Sequence, residues 1–373
     1  MKVAIVHDWL VTYGGAERVV QRLLEIYPDA DIYTLVYDRK KMNRYFPEEK
    51  VTASFIQKFP FATKIYTKLL SFMPKAFEKF DLTKYDLVIA SSSCCAKGVI
   101  TSPDTAFIAY IHSPMRYAWD LYYDYYKKSG FATRFFMKRQ MPKIRLWDFV
   151  SSQRIDALAS NSSYIARRIK KFWNRDAEVI YPPVDTDRLS PDGMESDDFY
   201  VVFSRFVPYK RIDLAIKACG ELKKKLVVIG DGSQAKELKA LAQKYRGADI
   251  RFTGRIDDKE VKRCLQRCRA LIFCAEEDFG IIPVEAQAAG RPVIAFNKGG
   301  AKETVIDGKT GVFFDEQETE SVKEAILRFE ELDSKGKFKT AAMVKNASLF
   351  SAENFKKNIA ALAERVLREK GKL

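Results

Sequence analysis

Two glutamates eight positions apart, Glu277 and Glu285, bracket the run Asp-Phe-Gly-Ile-Ile-Pro-Val. The Glu285 carboxylate can accept two hydrogen bonds from a vicinal diol such as that of a ribose, and Glu277 lies at the carboxyl end of a strand candidate, where open α/β sheets bind ligands. Pro283 fits a first helical position and Gly290 the residue just past a last one, which predicts a short helix from about Pro283 with Glu285 in its first turn. The free N–H groups and dipole at such a start form an anion site, and Gly280 lets a ligand approach the backbone. Upstream, Arg205 and Lys210 follow an apolar strand-like run in Ser-Arg-Phe-Val-Pro-Tyr-Lys-Arg. Two cations there can neutralise a diphosphate, each charge-assisted contact contributing about 1.5–3 kcal/mol.

Weaker signals point the same way. Gly14-Gly15 opens a helical stretch and resembles half of a dinucleotide fingerprint without its GxGxxG spacing. Gly230-Asp231-Gly232 ends another strand candidate, as a turn or as the wall of a nucleotide pocket. His112 and His7 are the chain's two histidines, each ending a strand candidate, with a structural reading open beside a functional one. Asp185 and Asp187 have DxD spelling but follow Pro182-Pro183 and read as a turn and cap. No Ser-His-Asp order, HExxH or Walker loop is present, which disfavours triad hydrolases, zincins and P-loop enzymes. A Cys264/Cys268 metal pair lacks histidine partners, so no metal is expected. The six cysteines form no CxxC pair and read as reduced thiols.

The elements that must position these groups alternate from end to end, short β-branched runs with amphipathic stretches, which predicts α/β architecture with parallel sheets. Strands are expected at 3–6, 32–36, 51–55, 87–90, 107–111 and 179–181, with helices at 16–26 and 131–157. A second set falls at 200–203, 226–229, 250–252, 271–274, 293–295 and 312–314. These form two doubly wound Rossmann-like domains facing a cleft, 1–183 and 184–350, hinged near Pro182-Pro183. Residues 351–373 form a helix packing back across both. At 373 residues the chain is long enough for two such cores.

Lys and Arg exceed Asp and Glu by 15, which favours anionic partners. Dispersed basic residues and the lack of a recognition motif argue against nucleic acid. Residues 61–73 have helical spacing, with Phe61, Ile65, Leu69 and Phe72 on one face and Tyr66, Leu70 and Met73 beside it. That face covers a core or lies on a membrane, where Lys58, Lys64, Lys68, Lys75 and Lys79 of the basic region 55–80 would meet anionic lipid. No apolar run is long enough to span a bilayer, and 3–6 is too brief for a signal peptide's apolar region. The expected location is cytoplasmic, with access to the inner face of the cell membrane.

These residues resemble the retaining glycosyltransferases of family 4, which have the GT-B fold. Glu277 and Glu285 match the family's E-x7-E motif, Arg205 and Lys210 its phosphate-binding pair, and Gly14-Gly15 its N-terminal glycine loop. The segment through Gly290, the Asn297-Lys-Gly299-Gly300 turn and His112-Ser-Pro-Met-Arg-Tyr-Ala-Trp-Asp120 look like O-antigen mannosyltransferases that use GDP-mannose. The resemblance implies that Glu285 holds the ribose, Arg205 and Lys210 the diphosphate, and Glu277 with Phe279, Gly280, Ile281 and Ile282 the donor sugar. Gly254, Arg255 and Ile256 would flank the base, Gly230 and Gly14-Gly15 would line the donor site, and His112 would contact the sugar near the reacting carbon. His7, Asp8, Arg116 and Tyr117 are the expected acceptor contacts, the acceptor being a lipid-linked oligosaccharide. The implied reaction retains configuration and needs no cofactor beyond the donor. UDP-sugars are the alternative donors, and a non-hydrolysing nucleotide-sugar epimerase is a further reading.

Overall fold

The computed structural model describes residues 1–373. Seven parallel strands build the first sheet: β1 (Val3–His7), β2 (Asp31–Thr34), β3 (Val51–Ala53), β4 (Leu87–Ser92), β5 (Ala106–Ile111), β6 (Ala157–Ser160) and β7 (Glu178–Val179). Six more build the second: β8 (Tyr200–Phe203), β9 (Leu226–Ile229), β10 (Ile250–Gly254), β11 (Ala270–Phe273), β12 (Val293–Phe296) and β13 (Gly311–Phe314). The orders are β3-β2-β1-β4-β5-β6-β7 and β10-β9-β8-β11-β12-β13. Strand order therefore reverses between β1 and β4 in one sheet and between β8 and β11 in the other. Open α/β sheets bind ligands outside the carboxyl ends of strands at such reversals.

Parallel strands covered by helices on both faces bury both rows of side chains. In β4 and β5 every residue is buried. Val88, Ala90, Phe107, Ala109 and Ile111 enter one apolar cluster, and Leu87, Ile89, Ala106, Ile108 and Tyr110 the other. The period of two that separates these lists is the alternation of a pleated strand. Strand β6 was not expected: its sequence, Ala-Leu-Ala-Ser, favours helix by propensity, and the preceding helix, read as extending to 157, ends at Ser152.

The chain divides into two units, Met1–Pro183 with Phe355–Leu373, and Val184–Asn354. The expected break after residue 183 coincides with the first boundary. The closing helix, Ala352–Glu369, places Phe355, Ile359, Leu362, Ala363, Val366 and Leu367 in the first unit's cluster beside Val19, Val20 and Leu23. Most of that helix thus belongs to the first unit, a correction to a separate segment beginning at 351.

Residues 61–73 are not one helix. A helical turn, Ala62–Ile65, gives way to a tighter run, Tyr66–Phe72, with non-helical backbone at Leu69, and a new helix, Met73–Glu78, carries Pro74 in its first turn. The expected stripe is split accordingly. Leu70 and Met73 are buried, whereas Phe61 and Phe72 are exposed. No helix of the chain is long and apolar enough to cross a membrane.

Candidate functional site

In the second unit the loop leaving β11 carries Glu277 and ends at Gly280, whose φ of 85° is a left-handed conformation that glycine adopts without strain. Helix Ile281–Ala288 starts there, two residues before the position expected from Pro283. Proline at the third helical position is tolerated because the N–H it lacks has no partner within the helix. The N-cap is a glycine, which has no side chain to occupy the first backbone N–H groups of the helix. Glu285 consequently lies in the second turn, not the first, and at 4% exposure it is no solvated helix-start acid. The helix closes with a Schellman pair, Gly290 N–H to Gln287 and Arg291 N–H to Ala286, each at 2.9 Å. The Gln287 amide donates to the Pro283 and Thr304 carbonyls at 3.1 and 2.7 Å and accepts from Asn346 at 2.7 Å, fixing the helix from behind.

Glu277 is ion-paired with Lys210, which lies on the short turn Pro208–Lys210 after β8. The two loops flanking the strand-order reversal are thus joined by one residue from each of two expected pairs, Lys210 from Arg205/Lys210 and Glu277 from Glu277/Glu285. Arg205, on the same loop as Lys210, is exposed and donates to the Tyr209 hydroxyl at 3.4 Å. A third loop, after β12, locks Glu277 in place: Gly300 N–H donates to its carbonyl at 2.8 Å. A Cβ on Gly299 would stand 2.3 Å from that carbonyl oxygen, and one on Gly300 2.2 Å from Phe279 Cα. Gly230 serves close packing too, since a Cβ there would stand 1.9 Å from the Ser204 carbonyl oxygen. Its N–H donates to the Gly254 carbonyl at 3.0 Å, tying the β9 and β10 ends together. Beyond them Arg255 is exposed and Ile256 half-buried.

In the first unit, Gly14 precedes helix Gly15–Ile26 in extended backbone, and Glu17 in that helix's first turn is buried. Glu17 Oε1 lies 3.5 Å from His7 Nε2. On the other side of the ring, His7 Nδ1 is 3.1 Å from both the backbone oxygen and the hydroxyl of Ser91, and Ser91 Oγ is 2.8 Å from His112 Nε2. The backbone oxygen only accepts, so His7 Nδ1 carries a hydrogen. The Ser91 hydroxyl, with one hydrogen to donate and two lone pairs to accept, bridges the two rings, and the direction of its bond to His112 Nε2 is set by the His112 tautomer. Burial first and the neighbouring His7 second push His112 down to about 3, so its ring is neutral at pH 7.

His7 and Asp8, expected to touch an acceptor, are instead buried behind His112. The Asp8 carboxylate accepts the backbone N–H groups of Ser93, Cys94, Cys95 and Ala96 at 2.5, 2.9, 2.9 and 2.8 Å. A buried carboxylate needs such partners, and with both oxygens occupied it shapes the loop after β4. The segment after β5 is held by Arg168, whose guanidinium grips Asp120 through two nitrogens and donates to Ser113 Oγ at 2.7 Å. Within it Arg116 is half-exposed, and the half-buried Tyr117 hydroxyl lies 3.1 Å from Cys94 Sγ. Burial raises the Tyr117 phenol above its ordinary range.

Two family models cover nearly all of these loops. Residues 13–188 match Glycosyltransferase Family 4, and residues 186–349 match Glycosyl transferases group 1. The chain belongs to glycosyltransferase family 4. An uncharacterised glycosyltransferase of Methanocaldococcus jannaschii is 31% identical to this family member over 173 residues, 46% of this chain and 49% of the relative. The GDP-mannose-dependent α-(1-6)-phosphatidylinositol monomannoside mannosyltransferase of Mycolicibacterium smegmatis is 30% identical over 200 residues, 46% and 52% respectively. The chain spans about half the length of these curated relatives. Among solved structures, Anabaena HepE in complex with UDP superposes with a TM-score of 0.73 at 17% identity, covering 98% of this chain and 100% of that one. The fold is GT-B, as expected.

The family member's sequence does not announce every residue these loops depend on. Ser91 is the first of three consecutive serines closing an apolar strand, and nothing distinguishes it from Ser92 and Ser93. Arg168 reads as an ordinary helix cation. Glu17 had a usable signal, an acid in the first turn of a helix that opens on a glycine pair.

Proposed function

We propose that this protein is a retaining hexosyltransferase that moves mannose from GDP-mannose onto a lipid-linked oligosaccharide during surface polysaccharide synthesis. The observation that carries the reading is the Lys210–Glu277 pair beside the start of helix Ile281–Ala288, with Glu285 buried in the same helix. It supplies a cation and backbone N–H groups for a diphosphate, and carboxylates for hydroxyls.

In this mechanism Arg205, Lys210 and the helix start stabilise the leaving diphosphate as the bond from the sugar's anomeric carbon to phosphate oxygen breaks. The acceptor hydroxyl attacks from the same face, and its proton passes to the departing phosphate oxygen. Configuration is retained and no added base is required. Glu285 grips the ribose, Glu277 the sugar hydroxyls, and His112 contacts the sugar near the reacting carbon. Two side-chain cations and a helix start serve the charge that a divalent metal would otherwise meet, so transfer should persist in a chelator. Mannose and guanine are favoured because curated relatives 30–32% identical over 200 residues are named as GDP-mannose-dependent mannosyltransferases.

Thermal unfolding with GDP-mannose, GDP, UDP-glucose and UDP tests the donor, because a ligand bound only by the folded state raises the midpoint. GDP-mannose should give the largest shift, and Glu285→Ala should reduce it. Glu277→Ala should slow transfer by about 10-fold or more, as loss of a charged hydrogen bond does. A shift confined to uridine nucleotides would replace GDP-mannose with a UDP-sugar. Epimerised nucleotide sugar formed without acceptor would replace transfer with epimerisation.

A further inference from the structure

The first unit contains a cavity of about 610 Å³, within the range of small-molecule sites. Its inner wall is apolar and buried: Leu70, Met73, Met137 and Met141. Methionines are unbranched and polarisable and fit chains of irregular shape. Its mouth is formed by exposed residues, Lys68 and Phe136 among them.

The two segments that wall it, 55–77 and 122–147, are unusual in two further respects. They expose large aromatic side chains, Phe131 at 87% and Phe61 at 75%, with Phe72, Tyr123 and Phe135 also exposed. Residues 55–77 hold four lysines and no acid, while 122–147 hold seven Lys or Arg against Asp124 alone. Exposed aromatics set in a basic field are the surface chemistry of an anionic lipid interface. Trp9 and Cys94 also line the cavity, on the loops after β1 and β4 that carry Asp8 and the backbone amides it binds. The cavity therefore runs from those loops to the aromatic, basic surface.

We propose that this cavity houses the hydrocarbon chain of the phosphorylated membrane lipid that carries the acceptor, with the surrounding lysines and arginines meeting its phosphate. The inference rests on the transferase reading for the lipid's identity and on the cavity alone for its binding.

Dodecyl phosphate below its micellar concentration is the probe, titrated into the full chain by calorimetry beside inorganic phosphate and dodecyl maltoside. Saturable one-to-one binding is expected for dodecyl phosphate, weaker binding for the maltoside, and none for inorganic phosphate. Met137→Trp, which fills the cavity, should weaken it about tenfold or more, the loss expected when several methylene groups stay in water. Ala132→Trp at the exposed mouth avoids a core change and should weaken it as well, while Lys68→Glu should weaken dodecyl phosphate more than the maltoside. Absence of saturable binding, equal binding of inorganic phosphate, or unchanged affinity in both tryptophan variants overturns the proposal. Nucleotide-sugar thermal shifts on the same samples separate the two readings. Alkyl phosphate binding without a nucleotide response would sink the transferase reading alone, and the converse would sink the cavity alone.

Discussion

His112 is held by a hydroxyl that has one proton to give. If Ser91 orients the His112 ring, Ser91→Ala removes a hydrogen bond whose net contribution is about 0.5–1.5 kcal/mol, or roughly 2–10-fold in rate. Turnover is expected to fall by that factor with the donor KM unchanged, and Ser91→Thr, which restores the hydroxyl, should recover most of it. A rise in donor KM with constant turnover would instead make Ser91 a purely structural support. At this scale the charged site residues were legible. Lys210 and Glu277 are long side chains on glycine- and proline-marked loops, and local spacing placed both at strand ends. Asp8 was misread because its type and position suited a ligand contact. Only the fold of the chain between 8 and 93 brings four amide groups onto its carboxylate.

Among elements, the turn Asn297–Gly300 governs the loop after β11. Gly299 has φ 68° and no room for a Cβ against the Glu277 carbonyl. Gly299→Ala should lower stability by about 1–3 kcal/mol and abolish the nucleotide-sugar thermal shift by displacing Glu277. Gly193 shares a positive φ but has open space around it, so Gly193→Ala should cost only the backbone strain and keep the shift. Equal behaviour of the two variants in urea titration and thermal shift would remove the claim that this turn positions Glu277. Helices and strands with strong periodicity were readable, and two errors have physical causes. Strand β6 is alanine-rich, and its extended form comes from pairing with β5 at Ile108–Ile111, a partner some fifty residues away. The 61–73 stripe has helical spacing, yet Pro74 and the packing of Leu70 and Met73 bend the backbone at Leu69.

For the whole molecule, the chain leaves its first unit at Pro183 and returns to it at Phe355. Deleting residues 355–373 strips six buried apolar side chains from that unit, of which the five larger than alanine each contribute about 1.5–3 kcal/mol. Their sum is comparable with a domain's net stability of about 5–15 kcal/mol. The first unit should then lose cooperative unfolding and become protease-sensitive, while residues Val184–Asn354 keep a nucleotide-induced thermal shift. Protease resistance of the truncated first unit would show that its own core suffices. By itself the sequence determined the α/β alternation, the break after Pro183, and the placing of Arg205, Lys210, Glu277 and His112 at carboxyl ends of strands. Those features follow from side-chain periodicity and turn chemistry, which act over a few residues. The tertiary structure alone decided that β4 lies beside β1 and β11 beside β8, that Ser91 links two histidines, that Asp8 is buried, and that the last helix returns to the first unit. Each depends on burial between residues tens to hundreds of positions apart, and no local spacing encodes which distant surface a side chain will meet.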